Sequence, residues 1–334
     1  MTKKALVLSG GGGRGAFQAG AIAGLVEAGW LEDGRGPDYI AGTSIGAVHA
    51  AALASGKTVA ELEHFWTHDL STERVHQLEG PWYLRLPVFL VMGGMLSPDR
   101  LADDPGAVLS GPELPDDPGG LLGWLARRTR DALLHETHLM TSNWPAALAP
   151  LNLDFDRINN PSAPQIVVTA TDIQTGAPVG FSNRTTTLSI DHLEASASIQ
   201  TLYQPKQLAG RWYWDGAVTN NTPLDPLLTL IGTEEVEIVT ILMSPWRGDD
   251  DGEMPPPTNL YGSLSLTLDW MLLGSYHAAV KRLTDRFRPG PRVIAPDAGF
   301  WHDSLNLDRL LLYDPEHSAF LFEAGRQRAL NRIR

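Results

Sequence analysis

The chain has 334 residues, 43% of them hydrophobic and 19% charged, a composition that supports a sizeable buried core and excludes disordered and fibrous classes. Its 26 basic and 39 acidic residues leave a net charge of −13, which repels phosphate backbones over the surface as a whole and argues against a nucleic-acid partner. Cysteine is absent, so disulfides, thiolate metal sites and thiol catalysis are excluded, and a reducing compartment suits the chain.

In chain order, Ala5 to Leu8 reads as a buried strand. It is too short for the apolar core of a signal peptide, and the expected location is cytoplasmic. Six residues of glycine-rich turn follow, then Phe17, Ala21, Ile22, Leu25 and Val26 recur at helical spacing up to Gly29. Asp38 to Ala41 is a second short strand, and Ile45 to Ser55 an alanine-rich helix that Gly56 can end. Strand, helix, strand, helix implies a parallel sheet. Thr58 and Glu61 have the spacing of a capping box.

Beyond about Ser71 the pattern gives way to Pro, Gly and aromatic residues as far as Pro118 and reads as an insertion. A helix is expected over Leu121 to Leu134, and a central strand over Gln165 to Thr171. Leu208 to Trp214 reads as a hairpin arm ending at Asp215, and Val236 to Met243 as a further strand closing the core sheet. Arg247 to Asn259 has linker composition, followed by helices near Leu260 to Arg286 and Pro315 to Arg332. No stretch approaches the ~20 apolar residues that span a bilayer; the nearest, Leu84 to Met95, is interrupted by Arg85 and Pro87.

Three short blocks carry chemistry. Gly42-Thr43-Ser44-Ile45-Gly46 has the G-x-S-x-G form of a nucleophile elbow and falls between an expected strand and an expected helix. The glycines two before and two after the serine remove Cβ atoms that would clash across so sharp a turn. The helix start beneath the hydroxyl favours negative charge, and the Ile45 N–H is a candidate oxyanion donor. Gly10-Gly11-Gly12-Gly13-Arg14-Gly15 offers a row of N–H groups at a helix start, an anion-binding nest. Gly10, Gly12 and Gly15 also satisfy G-x-G-x-x-G, so a dinucleotide-binding oxidoreductase is the rival reading; Asp33, its ribose acid, falls in a loop and not at the end of the second strand. Asp215-Gly216-Ala217 ends an aromatic strand, where α/β sheets place sites.

At these residues, in this order, the sequence resembles the patatin-like phospholipases over about residues 5–245, weakening between Ser71 and Gln165. The flanks agree as well: Leu6-Val7-Leu8-Ser9, Ile40-Ala41, and Val218-Thr219-Asn220-Asn221-Thr222-Pro223. Gln200, where a proline is usual, is a departure in the loop before the base strand.

The resemblance implies a three-layer α/β/α sandwich on a mostly parallel sheet. It makes residues 5–245 the catalytic domain, with a cap-like insertion around 71–160, and leaves 246–334 as a linker and a C-terminal helical extension packed on the same domain. It also implies a lipid acyl-ester hydrolase in which Asp215 takes the proton from Ser44 without a histidine, and in which Gly11 and Gly12 hold the oxyanion while Arg14 braces the loop. The expected partner is a lipid or ester substrate, and neither a cofactor nor a metal is needed. A non-catalytic lipid-binding relative would share the fold without turnover. A conventional triad would need His277, His302 or His317, which follow Asp215 in the chain; His49, five residues after Ser44, is expected on another face. The apolar run Trp82 to Met92 is expected to cap a greasy pocket, with peripheral membrane contact as the alternative, and Arg127, Arg128 and Arg130 form a local basic cluster.

Overall fold

A computed structural model describes residues 2–77, 120, 138, 141–246, 256–257, 260–283, 290–304 and 310–333. The apolar run at 82–95, the expected helix at 121–134 with its basic cluster, and the acidic part of the linker all lie outside the described residues.

Two compact units make up the chain. One contains Met1–Val75, Trp144–Ser198 and Pro205–Arg334; the other contains His76–Asn143 and Ile199–Gln204. In the smaller unit, β3 (His76–Gln77) pairs antiparallel with β4 (Thr141–Ser142). There the Tyr203 hydroxyl lies 2.6 Å from His76 Nδ1 and its ring stacks on the imidazole.

The larger unit holds an eight-stranded sheet: β1 (Lys3–Leu8), β2 (Tyr39–Thr43), β5 (Gln165–Asp172), β6 (Pro178–Ser182), β7 (Lys206–Leu208), β8 (Arg211–Asp215), β9 (Val236–Ile241) and β10 (Arg292–Ile294). The order is β10-β9-β1-β2-β5-β8-β7, with β6 also paired to β5. From β10 to β5 every neighbour is parallel, while β6, β7 and β8 enter antiparallel. The main helices of this unit are α1 (Gly15–Glu27), α2 (Ile45–Ala54), α3 (Val59–His64), α4 (Ile190–Ser196), α5 (Ala217–Asn220), α6 (Leu224–Ile231), α7 (Leu260–Lys281) and α8 (Pro315–Ile333).

Alternation along each strand builds the layers, because successive side chains leave opposite faces. Leu6 and Leu8 of β1, Ile40 of β2 and Ile166 and Val168 of β5 face a core shared with α1, α2 and α8. Ala5, Val7, Ala41, Val167 and Ile238 face the other core, filled by Leu224, Leu227 and Ile231 of α6 and Leu273, Tyr276 and Ala279 of α7. Both faces are therefore covered, as parallel strands require, and the architecture is a three-layer α/β/α sandwich. Each fully buried Leu or Ile contributes roughly 1.5–3 kcal/mol.

α1 is buried on nearly every side because α8 packs along its outer surface. The contact is backbone to backbone: a Cβ on Gly20 would meet the Phe322 carbonyl oxygen at 1.8 Å, and one on Gly325 the Phe17 oxygen at 1.9 Å. Thr58 and Glu61 form the expected capping box at the start of α3.

Two expectations change. The sheet does not close at β9: β10 adds a further parallel strand, but its three residues are too few to show a period. The expected single arm at 208–214 is split into β7 and β8 by a two-residue turn at Ala209 and Gly210, with φ of +48° and +80°, the left-handed pair that a tight hairpin demands.

Candidate active site

Strand register brings the chemistry together. Thr43 at the end of β2 pairs with Thr169 on β5, and the next β5 residue, Ala170, pairs with Asp215 at the end of β8. Ser44 and Asp215 thus leave neighbouring strand ends on either side of β5. Thr43 Oγ1 bonds Thr169 Oγ1 and donates to the Asn220 carbonyl at 2.9 Å, tying the elbow to the segment after Asp215.

Ser44 has φ +55° and ψ −125°, a strained conformation for a residue with a side chain. What holds it is close packing on both sides. A Cβ on Gly42 would lie 2.3 Å from the Gly46 carbonyl oxygen, and one on Gly46 2.3 Å from that of Leu8, so the elbow closes only with glycine at both positions. The Ser44 amide donates to Ser196 Oγ at 2.8 Å, and that hydroxyl donates to the Thr169 carbonyl at 2.7 Å. Ser196 therefore pins the turn from α4.

The Ser44 hydroxyl lies near enough to the Asp215 carboxyl to favour its ionised form. Asp215 is 2% exposed, and its Oδ1 accepts the Ala217 N–H at 2.8 Å. Burial outweighs the opposing influence of Ser44 and of the Ala217 N–H and raises the carboxyl to about 7. Burial, and secondarily the Asp215 charge, push the Tyr313 phenol up, and its ring faces Trp66 and Trp144.

Six glycine-block residues were expected at the oxyanion loop, and their amides divide into two groups. Gly10 donates to the Asn221 carbonyl at 3.0 Å, Arg14 to that of Gly11 and Gly15 to that of Gly12, so these three are engaged within the protein. The amides of Gly11, Gly12 and Gly13 make no hydrogen bond among the described residues, and neither does that of Ile45, the first residue of α2. Arg14 is buried, and its guanidinium faces Asp269 of α7, at 2.6 Å and 3.2 Å.

The described histidines have partners of their own. His49 is fully buried, with Nδ1 2.8 Å from Gln18 Oε1 and Nε2 accepting from Trp66 Nε1 at 2.9 Å; burial lowers it to about 3, so it stays neutral. His277 stacks on Trp246 and His317 lies against Phe320, while the His302 side chain is outside the described residues. Asp33, required at a strand end by the dinucleotide reading, sits in a loop and accepts the Val59 N–H at 2.8 Å. A surface groove lined by Lys4, Asp38, Arg157 and Arg184 opens at the N-terminal ends of the strands and includes none of the residues around Ser44.

Sequence reasoning missed Ser196, Tyr313 and Asp269. Only Asp269 left a signal: it is the one Asp, Glu, Lys or Arg between Leu260 and Val280, and a lone carboxylate on an apolar helix asks for a buried partner.

A glycine loop and a serine elbow at the ends of the parallel strands β1 and β2, with a buried aspartate at the end of the antiparallel β8, mark the site of this three-layer α/β/α fold. The chain belongs to the patatin-like phospholipase family, whose family model matches residues 6–228. Among solved structures it is similar to VipD from Legionella pneumophila, with 16% identity, a TM-score of 0.46, and coverage of all of this chain and 67% of that one. The ExoU-SpcU complex of the type III secretion system of Pseudomonas aeruginosa matches at 19% identity and a TM-score of 0.35, covering 84% of this chain and 52% of that one. No curated protein gives a match. Among the described residues, no helix is long and apolar enough to cross a membrane.

Proposed function

We propose that the chain hydrolyses carboxylic esters of lipids, with Ser44 as nucleophile and Asp215 as base. The observation that carries this reading is the convergence of Ser44 and the buried Asp215 from the ends of β2 and β8, which flank β5, where burial raises the carboxyl to about 7. A carboxylate at its ordinary value near 4 is a poor base for a serine, whereas one near 7 is matched to neutral pH. His277 stacks on Trp246 and His317 lies against Phe320.

In the proposed reaction Ser44 Oγ attacks the ester carbonyl as Asp215 takes its proton. The negative charge on the carbonyl oxygen is met by the Gly11 and Gly12 amides, with Gly13 and Ile45 as the further unengaged donors nearby. Collapse breaks the bond to the alcohol oxygen, which leaves with the proton from Asp215, and Ser44 is acylated. Water then attacks the acyl group, giving its proton to Asp215; expulsion of Ser44 Oγ returns that proton and releases the fatty acid. Family membership supports a lipid substrate, including phospholipids and lysophospholipids. The catalytic domain is assigned to residues 5–245, with residues 246–334 packing on it.

The test uses a lipophilic fluorophosphonate and a panel of p-nitrophenyl esters and defined phospholipids. Wild type is expected to turn over the panel and to carry one phosphonate on Ser44; Ser44→Ala should lose both. Label on another residue with Ser44 untouched would overturn the assignment.

A further inference from the structure

Glycine-rich loops lose more backbone freedom on ordering than any other segment, yet an oxyanion hole works only if its donors are held in place before the charge forms. Something outside the loop must therefore hold Gly11 to Gly13. Arg14, the last residue of the short 3-10 turn Gly12–Arg14, is the side chain nearest in sequence that can do so. Its Nη1 donates to Asp269 Oδ1 at 2.6 Å and its Nη2 to Oδ2 at 3.2 Å. Nη1 also reaches the Met243 carbonyl at 3.5 Å, the ring of Trp301 lies 6.0 Å from the guanidinium carbon, and the Ser244 hydroxyl donates to Asp269 Oδ1. A planar fork gripped by two oxygens is fixed in orientation as well as position. The two side chains are 1% and 3% exposed, so solvent does not screen the pair.

We infer that Asp269 is a positioning residue for the oxyanion loop, acting through Arg14; its catalytic consequence rests on the hydrolase reading above. It reaches the loop from α7, 255 residues away in sequence and beyond the family-matched stretch 6–228. A 22-residue helix packed on the sheet through Leu273, Tyr276 and Ala279 is a rigid mount for the carboxylate. The loop that meets the substrate is thus set by a part of the chain that carries none of the family's motifs.

The test compares wild type with Asp269→Asn, Arg14→Lys and the double variant Arg14→Met/Asp269→Leu. The last removes both buried charges together, so it remains informative where a single variant leaves one charge unpaired and fails to fold. In folded protein, each is expected to lower kcat about 10–100-fold and the rate of Ser44 phosphonylation in parallel, with KM within about threefold, because the lost interaction acts on the transition state. The double variant should be no slower than the worse single one, since the two residues act as a unit. A fall in melting temperature with unchanged kcat in every folded variant would overturn the proposal. An independent readout is amide hydrogen exchange in the peptide spanning residues 9–16. Exchange should quicken in Asp269→Asn and the double variant relative to the Ala19 to Leu25 stretch; unchanged exchange there refutes the clamp. If wild type neither hydrolyses esters nor takes the phosphonate, the hydrolase reading fails while exchange still decides the clamp.

Discussion

At the level of single residues, burial of Asp215 gives activity and stability opposite responses to pH. With its carboxyl raised from 3.8 to about 7, the group is a competent base only above that value, so kcat/KM should rise through a limb near pH 7. Between pH 4 and 7 the native state holds a proton that the unfolded chain gives up. Stability from this group is therefore full below about 4 and is lost as pH rises through 7. Asp215→Asn should remove that loss, making the protein at pH 8 more stable than wild type by up to about 4 kcal/mol, while turnover falls ~10²–10⁴-fold. Urea titrations at pH 4 and 8, beside rate measurements, check both; a variant less stable than wild type at pH 8 would contradict the burial argument. Replacing His277, His302 or His317 by Ala should change turnover only slightly. The elbow and the Asp215 block were legible in sequence because each is a local motif whose glycines answer to local sterics. Ser196 and Asp269 were not, since each meets its partner only through strand order and helix packing, and neither spacing nor composition records a contact between residues 14 and 269.

Among the secondary-structure elements, those with several turns or a long apolar run were legible: β1, α1, β2, α2, β5 and β9 fall within a few residues of their sequence-derived bounds. β10 was not, because three residues carry no period, and the break between β7 and β8 was missed because Ala209, a residue without turn preference, occupies a left-handed position. The α1–α8 contact shows how packing reverses a local preference. Gly325 in mid-helix is worse than Ala by ~1 kcal/mol on propensity alone, yet its missing Cβ is what admits the Phe17 carbonyl at 1.9 Å. Gly325→Ala should therefore destabilise, by about 1–3 kcal/mol as overpacking does. Denaturant midpoints at constant m-value measure this directly; a gain in stability would mean that α8 can back away from α1 freely.

On the scale of the whole molecule, the sandwich fold follows from two-sided strands, whereas its closure depends on α8, whose partner α1 lies some 300 residues earlier, as in the Arg326–Glu27 ion pair. Removing residues 315–333 should leave the apolar outer face of α1, with Phe17, Ala21 and its neighbouring glycines, open to water. The shortened protein is expected to bind a hydrophobic dye and to lose its cooperative unfolding transition; a sharp transition without dye binding would show that α8 is dispensable. The same pairing has a consequence for biosynthesis. At 5–20 residues per second, a ribosome needs roughly 15–60 s to pass from the end of α1 to the start of α8. Throughout that interval the nascent chain exposes a glycine-lined apolar groove on the helix that begins at the proposed oxyanion loop. That groove is covered only once α8 has been made, so the timing of synthesis sets when the helix behind the proposed oxyanion loop gains its outer packing.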